Sequence, residues 1–466
     1  MNERTFVDAD EIRTRFSRRM SDMYRSEVPQ YGTLMELVAD VNAATLTASP
    51  ALKADLERTD DLERIGLERH GAIRLGTAEE LFTIRRLFAV MGMVPVGYYD
   101  LSVAGVPVHS TAFRPVRAEN LARNPFRVFT SLLRLELIEE EALRAETAAI
   151  LARRRIFTPG ALALIERFEA TGGLTSTEAD DFVREAVETF RWHSEATVDA
   201  DTYARLSKVH RLIADVVCFK GPHINHLTPR TLDIDAVQHA MPAHGIAAKD
   251  VIEGPPTRRC PILLRQTSFK ALEEPIRFQG EGEGQAGTHT ARFGEIEQRG
   301  LALTRKGRAL YDELLSSVRD AGGQGNAGVD YARRLTEAFA SFPDDYETLR
   351  REGFGYFRYV LTDKGDQVSS AGLDSMPIEA LMASGYVDAY PIVYEDFLPV
   401  SAAGIFQSNL GGHEQRSFAA NANQGAFVEA LGSAVEDEFA VYEKAEARSI
   451  ASVRAGLRHA LHHSAA

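Results

Sequence analysis

The first two segments of the chain differ in the spacing of their apolar residues. Residues 1–60 carry apolar side chains three and four positions apart, as in YGTLMELVADV and LKADLERTDDL, which predicts an α-helical cap. Residues 61–118 read instead as strand (LERHGAIRL), helix (TAEELFTIRRLFAVMG), strand (VPVGYYDL) and strand (VPVHSTAFRPV). The order of these elements predicts a first βαββ unit.

Residues 119–217 return to helical spacing, beginning with ENLARNPFRVFTSLLRLELI, and we predict a helical insertion. Residues 218–305 repeat the earlier order: strand around HINHLTPR, helix around DIDAVQHAM, then strands AKDVIEG, PILLRQTSFKAL and HTARFGEIEQRG. This predicts a second unit, of βαβββ type. Residues 306–466 are mostly helical in pattern and are expected to complete a pocket.

The composition of the chain argues against a nucleic-acid-binding, disulfide-rich or membrane-spanning protein. The chain has 466 residues, is 44% hydrophobic and carries a formal charge of −14, so it can bury a large core but offers no clustered basic face for nucleic acid or an anionic membrane. Its two cysteines lie in no CxxC pattern. The charged amino terminus lacks an apolar signal core, and no run of 18 apolar residues occurs. We therefore expect a soluble, cytoplasmic protein.

Both predicted units open with a histidine followed four residues later by an arginine: His70-Gly-Ala-Ile-Arg74 and His226-Leu-Thr-Pro-Arg230. In the last predicted strand, FGEIEQRG, polar and apolar side chains alternate, so Glu295 and Glu297 share one face. Two imidazoles and one carboxylate are the ligands of the facial triad that binds Fe(II) and leaves positions open for substrate and oxygen. The pattern therefore indicates a metal-dependent oxygenase.

Several motifs carry a resemblance to known families. FGEIEQRG is similar to the ligand strand of vicinal-oxygen-chelate enzymes such as hydroxyphenylpyruvate dioxygenase, and that analogy selects Glu295 over Glu297. HGAIRLGT, HSTAFRPV, HINHLTPR, LLRQTSFKALEEPI, FGEIEQRG and YEDFLPVSAAGIFQSNL resemble blocks of the 2-oxoadipate dioxygenase/decarboxylase family. The resemblance implies an α+β vicinal-oxygen-chelate-like half-barrel sheet built from the two units. It also implies Fe(II)-dependent conversion of 2-oxoadipate and O2 to 2-hydroxyglutarate and CO2 in lysine breakdown.

The same resemblance implies roles for individual residues. The metal ligands fall on His70, His226 and Glu295, where the two histidines would also meet the chelating substrate. Arg74 becomes the catalytic-site arginine that binds a substrate carboxylate. The backbone at Val400 and Ser401 would close the substrate pocket.

The position of Arg74 agrees with that role. Four residues along an extended strand place Arg74 on the same face as His70, with α-carbons about 13 Å apart. A forked guanidinium can pair with the far carboxylate of a metal-chelating 2-oxo dicarboxylic acid. Alternatively, Arg74 holds the C1 carboxylate.

Other assignments stay open at this stage. Gln266 and Ser268 are either polar neighbours of the metal ligands or part of a solvated strand face, and His289 is expected at a surface loop end. Two further kinds of function fit the same fold. One is a glyoxalase-type isomerase or an extradiol ring-cleaving dioxygenase, and the other is a non-catalytic 2-oxo acid sensor. The oligomeric state is left open.

Overall fold

The computed structural model of the chain describes residues 5–249, 251–280, 285–290, 292–320, 329–366, 372–398 and 423–463. Three helices begin the chain, as the helical pattern predicted: α1 (Ala9–Glu27), α2 (Pro29–Ala48) and α3 (Pro50–Arg58). The side chain of Asp8 caps α1 by accepting a hydrogen bond from the Asp10 amide, and α2 and α3 each begin with a proline, which lacks an N–H that the first turn could not satisfy.

A five-stranded mixed sheet follows. Its strands are β1 (Glu68–Leu75), β2 (Val94–Asp100), β3 (Val108–Arg114), β4 (Arg127–Leu133) and β5 (Leu227–Pro229), in the spatial order β2, β3, β4, β1, β5. Strand β1 runs parallel to β4 and antiparallel to β5. Helix α4 (Ala78–Ala89) joins β1 to β2, and α5 (Ala118–Arg123) joins β3 to β4.

Strand β4 corrects the predicted helix over ENLARNPFRVFTSLLRLELI. Helix α5 ends at Arg123, and the segment Arg127–Leu133 crosses the sheet between β3 and β1. All seven residues of β4 are buried. A strand buried on both faces shows no alternation of polar and apolar residues, so its apolar run cannot be told from a buried helix by periodicity alone. The first unit is therefore βαβββ.

Five helices separate the two units. They are α6 (Glu141–Arg153), α7 (Pro159–Thr171), α8 (Ser176–Val187), α9 (Ala200–Val209) and α10 (Arg211–Val217). Helix α8 begins with the reciprocal hydrogen bonds of a capping box, in which Thr175 and Glu178 each bond the other's amide. The chain between β4 and β5 is therefore helical, as expected for most of the predicted insertion.

The second unit contains β5, α11 (Ile234–Ala240), β6 (Leu264–Ser268), β7 (Glu274–Arg277), β8 (Ala286–His289) and β9 (Glu295–Arg299). Strands β6 and β9 pair antiparallel, and Arg230, just after β5, forms a parallel bridge to Glu297 in β9. The first strand of the unit thus lies beside the last, as in the first unit. The predicted strand HTARFGEIEQRG is shorter in the structure, because β9 begins only at Glu295, while His289 ends β8, which pairs with β7.

The described part of the carboxyl-terminal region is mostly helical. Its elements are α12 (Arg305–Asp320), α13 (Val329–Ala338), α14 (Tyr346–Arg351), β10 (Phe357–Leu361), α15 (Asp363–Asp366), α16 (Ile378–Ala383), β11 (Val387–Pro391), α17 (Gln424–Leu431) and α18 (Glu438–His463). Strands β10 and β11 form an antiparallel pair, and α18 packs along β10.

The architecture is α+β, as the sequence predicted. We propose that the chain is divided into a helical cap, a first unit that includes β4, a helical insertion, a second unit and a carboxyl-terminal region. Within the described ranges, no helix combines the length and the apolar character that crossing a bilayer requires.

Candidate metal centre

Three buried side chains meet where the two units join. His70 lies in β1, His226 directly precedes β5, and Glu295 is the first residue of β9. Because β1 and β5 are antiparallel neighbours, with His70 opposite Thr228, the two histidines come from adjoining strands and not from one local motif. Each of the three side chains is at most 1% exposed.

Their ligand atoms are close enough to share one cation. Nε2 of His70 lies 3.0 Å from Oε1 of Glu295, and Nε2 of His226 lies 3.7 Å from the same oxygen. One nitrogen or oxygen from each of the three residues lies within 4.8 Å of the others. Two metal–ligand bonds of about 2 Å span at most about 4 Å, so the separations of 3.0 and 3.7 Å fit a shared ion as they stand, and the widest separation needs only a small side-chain shift. The structure therefore brings together all three residues that the sequence predicted as ligands.

Several polar atoms of this cluster have no hydrogen-bond partner among the described residues. They are both ring nitrogens of His226, Oε2 of Glu295 and Nδ1 of His70, whose 2.9 Å contact with Glu297 is an ion-pair contact and not a hydrogen bond. A buried polar atom without a partner costs free energy unless something else satisfies it. Two imidazoles and one carboxylate with unused lone pairs fit a divalent metal ion, in the two-histidine, one-carboxylate arrangement typical of non-haem iron enzymes.

The charges around the cluster also favour a cation. Burial opposes ionisation of Glu295, but the neighbouring His226 and His70 outweigh it and lower the pKa of that carboxyl group. Burial lowers the pKa of His226 to about 4, which keeps this imidazole neutral. Burial also disfavours protonated His70, yet the carboxylates of Glu297 and Glu295 raise its pKa. Neutral His226 and ionised Glu295 are in the forms that bind metals, and the carboxylates around His70 favour a cation at that ring, either a proton or a metal ion in its place.

Glu297 supports His70 from the side away from Glu295. Its Oε2 lies 2.9 Å from Nδ1 of His70, and its two oxygens each accept a hydrogen bond of 2.8 Å from Arg299. A carboxylate on the second nitrogen of a metal-binding histidine fixes the ring orientation and tautomer. The alternation of FGEIEQRG placed Glu297 on the same face as Glu295, but it did not indicate this supporting contact.

Two polar side chains hold Glu295 itself. Thr228 donates a hydrogen bond of 3.0 Å to Oε1 of Glu295, and Gln266 donates one of 2.8 Å to the same oxygen. Gln266 is thus a polar neighbour of the cluster and not part of a solvated face. Ser268 is fully buried opposite Glu295, and its hydroxyl has no hydrogen-bond partner in the described part of the chain.

Arg74, the predicted substrate arginine, lies near the cluster on β1. Its Nη1 donates a hydrogen bond of 2.7 Å to Oδ2 of Asp215 in α10. Asp215 also lies 2.9 Å from Nε2 of His289 and 3.2 Å from Nε2 of His223. Burial opposes ionisation of Asp215, but His223 and Arg74 hold its pKa well below the usual range. The aspartate therefore fixes the position of the Arg74 guanidinium.

The predicted surface position of His289 is wrong, because this side chain is 5% exposed and also bonds the Tyr203 hydroxyl at 2.8 Å. Asp215 was missed at the sequence level. Its only signal is that it is a single acid within the apolar run RLIADVV.

The segment after β11 approaches the cluster from one side. The ring of Phe397 packs edge-on against His70, with centroids 4.9 Å apart. The two preceding residues are anchored, since Asp396 accepts two hydrogen bonds of 2.7 Å from Arg114 and Glu395 pairs with Arg127. Val400 and Ser401, predicted to close the pocket, lie outside the described residues.

Known proteins resemble this chain over nearly its whole length. The model of the 2-oxoadipate dioxygenase/decarboxylase family matches residues 16–409. Proteins named 2-oxoadipate dioxygenase/decarboxylase are similar over nearly the whole chain. The one from Escherichia coli is 59% identical over 446 residues, covering 95% of this chain and 98% of that protein. The one from Pseudomonas putida is 58% identical and covers 96% of both chains.

A solved structure of a related protein has the same overall fold as this chain. The crystal structure of hydroxyglutarate synthase from Pseudomonas putida in complex with 2-oxoadipate superposes with a TM-score of 0.91 at 56% identity. The match covers 97% of this chain and 99% of that one.

Proposed function

This chain belongs to the 2-oxoadipate dioxygenase/decarboxylase family, and from that premise we propose that it converts 2-oxoadipate and O2 to 2-hydroxyglutarate and CO2. The single observation that carries the proposal is the buried triad of His70, His226 and Glu295, whose ligand atoms lie within 4.8 Å of one another. We propose that the triad binds Fe(II), the ion typical of this ligand set in oxygenases. The metabolic setting that we propose is cytoplasmic lysine breakdown.

The fold supports this assignment. The order of strands around the triad repeats in the two units, with the first strand of each unit beside its last. We propose that the two units together form the half-barrel of the vicinal-oxygen-chelate fold, in which metal ligands from separate strands converge on one concave face.

Substrate binding follows from the chemistry of a 2-oxo dicarboxylic acid. Its C1 carboxylate and C2 oxygen would chelate the metal, and its far carboxylate would pair with Arg74. Asp215 keeps the Arg74 guanidinium in place through its 2.7 Å hydrogen bond. Phe397, against His70, excludes water from one side of the cluster, and the backbone at Val400 and Ser401 would close the pocket.

When bound, the iron supplies activation of O2 beside the chelated 2-oxo acid. The overall reaction balances without a second reductant, because the substrate itself provides all four electrons that O2 accepts. One oxygen atom enters the new carboxylate as CO2 leaves, and the other enters the hydroxyl group. The protein holds the two carboxylates of the substrate, keeps His226 neutral through burial, and orients His70 through Glu297.

The proposal is tested by oxygen dependence. Protein reconstituted with Fe(II) without oxygen is mixed with 2-oxoadipate, and O2 uptake and CO2 release are measured after oxygen is admitted. We expect equal amounts of O2 consumed, CO2 released and 2-hydroxyglutarate formed. Turnover without oxygen would indicate an isomerase instead, and binding of 2-oxoadipate without turnover would indicate a sensor. Either result contradicts the proposal.

Substitutions of the three proposed ligands test whether the triad is the site of the reaction. His70→Ala, His226→Ala and Glu295→Ala each remove one ligand, and we expect each to abolish turnover. Glu347→Gln, an exposed carboxylate in α14, is the matched control and should leave the rate unchanged. Full activity in Glu295→Ala would move the carboxylate ligand to Glu297 and contradict the ligand set proposed above.

A further inference from the structure

The repeat that supplies the two histidines also supplies two arginines. Arg74 follows His70 by four residues, and Arg230 follows His226 by four. Alternate residues of an extended strand share a face, so His226, Thr228 and Arg230 point the same way. Thr228 donates to Oε1 of Glu295, which identifies that shared face as the one directed towards the metal centre.

The two arginines lie at opposite ends of the centre. Strands β1 and β5 are antiparallel, with His70 opposite Thr228. Arg74 therefore extends past the histidines in one direction, and Arg230 extends past them in the other. Arg230 is in register with Glu297, the residue that supports His70.

Arg230 differs from the neighbouring buried arginines because no carboxylate of the described residues lies within ion-pair distance of it. Arg64 pairs with Asp61 and Glu395, Arg114 with Asp396, Arg127 with Glu395, and Arg299 with Glu297. In contrast, Arg230 is only 5% exposed, and its buried Nε and Nη1 have no hydrogen-bond partner among the described residues.

A buried guanidinium without an anion is costly. Burial lowers the pKa of Arg230, and the nearby carboxylates do not compensate fully. Both oxygens of Glu297 are already occupied by Arg299, and one of them also by His70. The other carboxylates near Arg230 are Asp61 and Glu395, and both already pair with Arg64. An anion supplied from outside would satisfy Arg230, which lies on the strand face directed towards the metal centre.

We propose that Arg230 binds a carboxylate of the substrate, namely the C1 carboxylate that chelates the metal. This inference rests on the proposed function. Arg74 would bind the far carboxylate. Arg230, at the opposite end of the centre, would then bind the C1 carboxylate through the oxygen that does not coordinate the metal. The guanidinium would hold this group in the chelating orientation before it leaves as CO2.

The test is equilibrium binding without oxygen, by calorimetry on Fe(II)-loaded protein. The ligands are 2-oxoadipate and 2-oxohexanoate, which lacks the far carboxylate. A hydrogen bond to a charged group contributes about 1.5–3 kcal/mol, so Arg230→Met should weaken binding of both acids about 10- to 100-fold. Arg74→Met should weaken binding of 2-oxoadipate alone. Arg230→Lys, which keeps the charge, should restore part of the affinity for both acids.

Thermal unfolding of the metal-free protein separates this role from a structural one. Removing an unpaired buried charge should leave the melting temperature of Arg230→Met equal to or above that of the wild type, whereas loss of a structural ion pair would lower it. Unchanged binding of both acids by Arg230→Met overturns this inference alone, and weaker binding of 2-oxoadipate only overturns the assignment to C1. If Arg230→Met does not fold, the inference is overturned in favour of a structural role. Wild-type protein that fails to bind 2-oxoadipate overturns the proposed function as well.

Discussion

Nδ1 of His70 lies 2.9 Å from Oε2 of Glu297, so the imidazole that would bind metal through one nitrogen is held by a carboxylate through the other. This contact joins the first strand of the first unit to the last strand of the second. It also links the metal centre to Arg299, whose guanidinium pairs with Glu297 and donates to the carbonyls of Tyr394 and Asp396.

The first prediction concerns that supporting carboxylate. Glu297→Gln keeps the shape of the side chain but removes its charge, so it no longer fixes the tautomer and orientation of His70. Loss of such a partner typically weakens metal affinity about 10- to 100-fold. Titration of the metal-free protein with Fe(II) in the absence of oxygen measures the change. Unaltered affinity in Glu297→Gln would show that Glu297 serves only to pair Arg299.

The second prediction concerns the close approach of the two ligand-bearing segments. A Cβ on Gly71 would lie 2.5 Å from Cδ1 of Ile224 and 3.0 Å from the carbonyl oxygen of His226. Gly71→Ala should therefore push β1 away from the segment before β5, costing about 1–3 kcal/mol of stability and weakening metal binding. Urea unfolding and metal titration measure the two effects.

Gly66→Ala is the matched control, because a Cβ there meets no atom within 4 Å. Equal stability and equal metal affinity of Gly71→Ala and Gly66→Ala would contradict this prediction. That result would show that the segments carrying His70 and His226 can separate without weakening the site.

Much of this site could be predicted from the sequence. The two histidines were found because they repeat at matching positions, and Glu295 and Glu297 were placed on one face by the alternation in β9. Choosing Glu295 required a resemblance to known enzymes, since both carboxylates contact His70 in the structure. Their roles depend on which of them also approaches His226, and that is a long-range property of the fold.

Other features could not be predicted because their signals are not periodic. Strand β4 is buried on both faces and reads as a helix, although it lies at the centre of the sheet beside β1. Asp215 holds Arg74 from a helix 141 residues away along the chain, so local spacing gives no indication of the contact. The ionic pairs of Arg114 and Arg127 likewise depend on where the segment after β11 returns to the sheet.

The third prediction concerns support of the centre by the amino-terminal helices. The hydroxyl of Tyr24, in α1, shares its one proton between the carbonyl oxygens of Asn225 at 3.0 Å and Phe293 at 2.7 Å. These residues precede His226 by one position and Glu295 by two. Tyr24→Phe removes the donor from both carbonyls and should destabilise the protein by about 1–3 kcal/mol, measured by urea unfolding.

Tyr31→Phe provides the comparison. Tyr31 packs edge-on against Tyr24, with centroids 5.1 Å apart, but its buried hydroxyl has no hydrogen-bond partner among the described residues. Removing that hydroxyl should leave stability unchanged or increase it. A larger loss of stability in Tyr31→Phe than in Tyr24→Phe would contradict the assigned support.

The fourth prediction concerns pH and His109, whose pKa burial lowers to about 4. The unfolded chain therefore binds a proton on this residue near pH 6.5 while the folded protein does not, so stability falls as pH decreases from about 6.5 to 4, by up to about 1.4 kcal/mol per unit. Urea midpoints of the metal-free protein at pH 7 and pH 5 measure the loss. His109→Gln should reduce it, leaving the part due to the other histidines whose pKa burial lowers, which are His193, His210, His223 and His226. The exposed His244→Gln should not reduce it. An identical loss in the His109 variant would show that other groups govern acid sensitivity.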